Sequence, residues 1–165
     1  MNGLRLGRHL ATTRWSTRRH FTREVRTAIE QSIRDCEAHH AGEIRFVVET
    51  ALELPELWHE VTARRRAVQL FGQLGVWDTA HNNGVLIYVL MADRAVEIIA
   101  DRGIAGRITQ GEWDAVCRQM ERLYRERRFQ EGSVAGVHGV GTLLGRHFPG
   151  RSHGGGELPA QPVLL

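Results

Sequence analysis

Three oxygen-bearing side chains stand beside the two apolar runs of this chain. Asp78 and Asn83 precede the run Val85–Ala92, and Asp101 follows the run Ala95–Ala100. Carboxylate and amide oxygens suit a hard cation such as calcium or magnesium. Calcium takes about 6–8 oxygens, so backbone carbonyls and water would complete a site built on these three. The alternative reading is local: Asp78 and Asn83 cap and turn their own loop, and Asp101 pairs with an arginine. Other chemistry is not spelled out, because the chain has no Cys-x-x-Cys, HExxH or GxxxxGK[ST] string. Gly139, Gly141 and Gly145 fall within a predicted helix and follow no strand, so they are not a dinucleotide fingerprint. His39 and His40 are adjacent, point different ways on a helix and read as helix-end caps instead of metal ligands. Cys36 and Cys117 sit at apolar helical positions and read as buried, reduced thiols.

The elements that position these residues follow from periodicity. Thr22 is a predicted N-cap, and Val25, Ile29, Ile33 and Cys36 make one helical stripe. Residues 42–52 alternate as a strand, with Ile44, Phe46 and Val48 on one face. A helix is predicted over Leu57–Gly72, with Leu57, Val61, Val68 and Phe71 inward and Arg64, Arg65 and Arg66 fanned over a solvated face. Val85–Ala92 is nearly unbroken in apolarity, as befits a central strand covered on both faces. Asp93–Arg94 turns it into an antiparallel partner, Ala95–Ala100. Helices are predicted from Thr109 to about Arg127 and from Ser133 to Phe148, the second with glycines that allow close approach to the sheet. The order α-β-α-β-β-α-α gives an α/β fold with a small mixed sheet: a parallel βαβ unit plus an antiparallel hairpin strand. Its carboxyl end gathers Glu49, Glu53, Asp93 and Arg94; the other end gathers Asp78, Asn83 and Asp101.

Flanking this body, residues 1–20 carry Arg5, Arg8, Arg14, Arg18 and Arg19 and no acid. The whole chain of 165 residues has a formal charge of +3, so the remainder sums to −2. That distribution does not support a specific nucleic-acid binder. It describes a basic N-terminal arm, with Leu4, Leu6, Leu10 and Trp15 between the arginines, able to contact an anionic membrane surface or a partner. Residues 21–148 read as one domain and residues 149–165, rich in Gly and Pro, as a flexible tail. The N-terminus lacks the apolar core of a signal peptide, and no run reaches the ~20 residues of a transmembrane helix. The expectation is a soluble protein of the cytoplasm, peripheral to the inner membrane.

The run N83-G84-V85-L86-I87-Y88-V89-L90, then D93-R94, V96-E97-I98 and R102-G103-I104, resembles the TPM domain family. G42-E43-I44-R45 upstream and W113, F129 and H147-F148-P149 downstream extend the resemblance over about residues 20–149. The family is named for a thylakoid lumen protein, a photosystem II repair protein and an acetylcholine-receptor modulator. The resemblance implies a three-layer α/β/α sandwich and a role in maintaining membrane complexes. It is to a soluble bacterial branch without signal peptide or transmembrane helix. The partners it implies are a membrane-bound TPM protein or a LemA-type membrane protein. On that basis the chain is read as a non-catalytic accessory or interaction protein. The alternative is a metal-dependent acid phosphatase with a calcium or magnesium site, as in some plant members. Asp78 and Asn83 match the family's loop positions, whereas Ala105 stands where the family has a glutamate and Asp101 is an addition.

Overall fold

The computed structural model describes residues 3–150 and 156–165. Two short helices come first, α1 (Gly3–Ala11) and α2 (Arg14–His20), the second capped by Thr13, whose hydroxyl accepts from Ser16 N at 3.2 Å. Thr22 caps α3 (Arg23–Glu37), accepting from Val25 N, and the helix buries Ile29 and Ile33. Strand β1 (Glu43–Glu49) follows. Where one helix is predicted over Leu57–Gly72, there are two: α4 (Leu54–Trp58), opened by a Glu53/Glu56 capping box and Pro55, and α5 (Ala63–Gln73), capped by Thr62. Glu60 breaks the chain between them at a left-handed φ of 53°. The new cap resets the helical phase. Ala67 and Leu70 face inward while Val68 is 53% exposed, which corrects the expected inner face.

Next comes the hairpin, β2 (Gly84–Leu90) and β3 (Ala95–Ala100). A single turn, α6 (Arg102–Ala105), is capped by Asp101. Then α7 (Gln110–Arg125) opens on a Thr109/Glu112 capping box. The reversal into α8 (Phe129–His147) is made at Arg127, φ 61°, so this helix starts before the predicted Ser133. Gly132 and Gly136 lie inside α8. A Cβ there would meet Tyr124 at 2.7 Å and the Met120 sulfur at 2.2 Å, so these glycines admit α7, not the sheet.

The sheet order is β3-β2-β1 and then β4 (Val163–Leu164). β1 pairs parallel with β2 from Glu43↔Gly84 to Glu49↔Leu90, and β2 pairs antiparallel with β3 from Val85↔Ala100 to Leu90↔Ala95. Every residue of β2 is buried, the consequence of apolar side chains on both faces. One face, with Ile44, Phe46, Val48 and Ile87, packs on α3, α7 and α8. The other, with Val47, Leu86, Tyr88 and Leu90, packs on α4 and α5. The result is an α/β/α sandwich.

Both flanks are structured where they are described. The basic arm folds onto the carboxyl end of the sheet: Arg5 grips Asp93 through Nε at 3.0 Å and Nη2 at 2.7 Å and also donates to Val61 O. Buried His9 accepts from Leu52 N on Nδ1 and donates from Nε2 to Asp93 Oδ1, each at 3.0 Å. Residues 156–165 of the expected flexible tail run along β1, and residues 151–155 lie outside the described residues. β4 pairs parallel at Val47↔Val163 and Val48↔Leu164, Leu165 N donates to Val48 O, and Thr50 N donates to Leu165 O. This occupies a sheet edge whose backbone groups would otherwise lack partners. Among the described residues no helix is long and apolar enough to cross a membrane.

Candidate functional site

The loops at the amino end of β2 and the exit of β3 meet as the hairpin register requires. Asp101 N donates to Gly84 O at 2.9 Å, and Gly103 N to Asn82 O at 3.0 Å. A Cβ on Gly103 would stand 2.4 Å from Asn82 O, so the approach of these loops needs glycine there. Asn83 is buried; its N–H donates to Thr79 Oγ1 at 3.0 Å and its side-chain amide donates to Ala41 O. Its Oδ1 is buried with no hydrogen-bond partner. Asp101 is also buried. Its Oδ1 accepts from Arg102 N at 2.7 Å, and its Oδ2 is buried without a partner. Asp101 therefore caps α6 instead of pairing with an arginine side chain; Arg102 turns to Asn82 Oδ1 at 3.1 Å.

Asp78 stays exposed on the turn after α5, where its N–H donates to Gly75 O, and among the described residues it makes no hydrogen bond to Asn83 or Asp101. The structure thus brings two of the three sequence candidates into one loop cluster. Two buried oxygens without partners have the chemistry of cation ligands, but they fall short of the about 6–8 that calcium takes. Among the described residues no group of three or more His, Cys, Asp or Glu side chains could hold a metal. No metal-assisted step is derived from this donor set.

Beside this cluster lie groups that sequence reading missed. Glu37, at the end of α3, accepts from Ile44 N at 2.9 Å. Burial raises its carboxyl to about 7; the Ile44 hydrogen bond opposes this and the charge of Glu43 adds to it. His40 is 1% exposed, so burial depresses it to about 4, with Nδ1 accepting from Gly42 N at 3.2 Å. Only His39 behaves as a helix-end cap, through Asp35 O at 2.8 Å; His40 is a buried neutral ring. The string His-His-Ala-Gly-Glu marks a helix end but does not reveal which histidine turns inward.

The carboxyl end is organised by ion pairs. Arg66 Nη2 donates to Glu49 Oε1 at 2.6 Å and Nε reaches both oxygens, while Tyr88 OH donates to Glu49 Oε2 at 2.5 Å. A second fork of Arg66 meets Glu56 at 2.7 Å. Arg66 is therefore an interior group, which corrects its expected place on a solvated face. Glu53 caps α4, and Asp93 holds Arg5 and His9. The carboxylates expected at this end thus already have structural partners. Between α2, the β2–β3 turn and the end of α7 remains a cavity of about 380 Å³.

A three-layer α/β/α sandwich with a mixed sheet, glycine-dependent loops at one end and a docked helix pair at the other defines the class. The TPM domain model matches residues 17–143, and the chain belongs to the TPM domain family. It is similar to the BA42 protein of the psychrophilic bacterium Bizionia argentinensis, at 30% identity and a TM-score of 0.76, covering 87% of this chain and 94% of that one. It also shares its fold with the N-terminal domain of a protein from P. gingivalis, at 20% identity and a TM-score of 0.60, covering 74% of this chain and 75% of that one. No curated protein matches the chain.

Proposed function

We propose that this TPM domain is a non-catalytic accessory protein that works at a membrane-associated protein complex, with α1 and α2 as its docking surface. One observation carries the reading. Helix α1 is pinned through Arg5 and His9 to Asp93, yet Leu10 of α1 and Trp15 of α2 remain 66% and 70% exposed. Arg14, Arg18 and Arg19 are exposed around them, and the Arg19 guanidinium lies 5.3 Å over the Trp15 ring. Arginines flanking exposed apolar side chains match an anionic membrane interface, where each basic residue contributes about 1 kcal/mol. The proposed partners are a membrane-bound TPM protein or a LemA-type membrane protein on the cytoplasmic side of the inner membrane.

Co-sedimentation with vesicles of phosphatidylglycerol and phosphatidylcholine tests the docking surface. The full chain should bind the anionic vesicles, and the triple variant Arg14→Gln, Arg18→Gln, Arg19→Gln should bind about 100-fold more weakly. Equal binding by both proteins would remove α2 from the argument.

The unpartnered Asn83 Oδ1 and Asp101 Oδ2 favour a second reading, a metal-dependent phosphatase using calcium or magnesium at this end of the sheet with Asp78 as a further candidate ligand. A cation that binds only the folded chain raises its melting temperature. No rise with millimolar calcium or magnesium, together with no hydrolysis of a generic phosphate ester, would sink that reading.

A further inference from the structure

We propose that the cavity between α2, the β2–β3 turn and the end of α7 binds a phosphate monoester carried on a flat aromatic body, a ligand of nucleoside monophosphate size. The cavity lies at the carboxyl end of β2, with Val89, Leu90 and Met91 in its lining. Open α/β sheets place ligands outside the carboxyl ends of their strands. Its volume of about 380 Å³ falls within the range of small-molecule sites. The site is separate from the Asn83/Asp101 loops at the opposite end of the sheet and does not rest on the docking reading.

Charge selects the ligand's head. Arg94, Arg125 and Arg127 line the cavity against a single carboxylate, Glu121. Glu121 is already engaged: it accepts from Val96 N at 3.1 Å and lies 3.9 Å from Arg125 Nη2. Among the described residues the side chains of Arg94 and Arg127 have no ion pair and no hydrogen bond. Two guanidinium forks are thus open to an oxyanion, with a net excess of two positive charges. A phosphate monoester, close to a dianion at neutral pH, matches that excess better than a monovalent carboxylate does. Arg94 and Arg127 also occupy left-handed backbone, φ 53° and 61°, where glycine would be less strained.

The rest of the lining selects the body. Tyr124 stacks on Phe129 with centroids 5.3 Å apart and planes 22° apart, and His20 stacks on the same ring at 4.2 Å. His20, Tyr124 and Phe129 all line the cavity, so this stack borders it with aromatic surface against which a planar group can pack. Thr12 and Ser16 also line the cavity. The Thr12 hydroxyl donates to Arg8 O and the Ser16 hydroxyl to Thr13 O. Each oxygen therefore keeps acceptor capacity for a ligand hydroxyl, as a ribose would supply.

The test is calorimetry and thermal melting of the full chain with a nucleoside monophosphate, ribose 5-phosphate and inorganic phosphate at matched ionic strength. The nucleoside monophosphate should bind most tightly and raise the melting temperature most. Arg94→Gly and Arg127→Gly remove one fork each while relaxing the backbone, so both variants should melt no lower than the parent. Each should bind the nucleoside monophosphate about tenfold more weakly. No binding of any probe at millimolar concentration would overturn the proposal. Equal binding of all three would overturn the aromatic body, as would binding to phosphatidic acid vesicles without binding to the nucleotide. Unchanged affinity in both glycine variants would place the ligand elsewhere and overturn the site.

Discussion

Replacing Glu37 with glutamine should expose an acid sensitivity that the parent protein masks. Glu37 and His40 flank the start of β1 and titrate in opposite senses. The Glu37 carboxyl is raised from 4.5 to about 7, so the folded chain binds this proton more tightly than the unfolded chain. Its contribution to stability is therefore lost as pH rises from about 4.5 through about 7. His40 is depressed from 6.5 to about 4, so its contribution is present above pH 6.5 and lost as pH falls towards 4. At about 1.4 kcal/mol per pH unit, each shift has a ceiling of about 3 kcal/mol. Glu37 is half-buried and solvent screening reduces its share to about 2 kcal/mol, whereas His40 is 1% exposed and keeps nearly all of its own. Between about pH 4.5 and 6.5 the two slopes oppose, and the stability of the parent should be nearly level there. Glu37→Gln retains an oxygen for Ile44 N and removes the titration. The variant should be about 2 kcal/mol more stable than the parent near pH 8 and lose about 3 kcal/mol on going to pH 4.5. Urea unfolding followed by circular dichroism across that range measures both. Parallel stability curves for the two proteins would refute the reasoning.

Two further perturbations act on other parts of the molecule. Glu49→Gln leaves the interior guanidinium of Arg66 with only Glu56 as a charge partner and should cost about 3 kcal/mol, whereas Tyr88→Phe removes one hydrogen bond to Glu49 and should cost about 1–2 kcal/mol. Urea melts that show equal losses for the two variants would contradict the network. Deleting residues 163–165 removes the bonds that join Leu165 to Val48 and Thr50 and uncovers the β1 edge. It should cost about 2 kcal/mol and promote self-association visible in light scattering; a monodisperse variant of unchanged stability would count against it.

What could be read from the sequence is local. The unbroken apolar run marks β2 as central, alternation places Ile44, Phe46 and Val48 on one face of β1, and Thr22 and Thr109 announce helix starts through their own side chains. The hairpin follows from two runs joined at Asp93–Arg94. What could not be read depends on a partner far along the chain. Arg5 looks like part of a loose basic arm until Asp93 is placed beside it, and the Pro-Val-Leu-Leu ending becomes a strand only because β1 has an open edge. The α8 glycines are visible, but nothing local says that Met120 and Tyr124 of α7 fill the space above them. Thr62 is a plausible cap inside a helical pattern, and only the left-handed Glu60 before it shows that the pattern breaks.

The same division governs the chemistry. Residue type nominates Asp93, Glu49, Asp78, Asn83 and Asp101 on equal terms. The fold then gives Asp93 and Glu49 full sets of structural partners and leaves Asn83 Oδ1 and Asp101 Oδ2 buried without any. Buried polar atoms without partners cost free energy that a ligand can recover, whereas exposed guanidinium forks attract an oxyanion by charge and paired hydrogen bonds. In this chain two such oxygens, Asn83 Oδ1 and Asp101 Oδ2, stand at the amino end of β2, and Arg94 and Arg127 line the cavity at its carboxyl end. A cation suits the first and an oxyanion the second, so the two ends should respond to different ligands and to different substitutions. Loss of anion binding in Arg94→Gly should therefore leave any cation response intact, because no described hydrogen bond or ion pair joins Arg94 to Asn83 or Asp101.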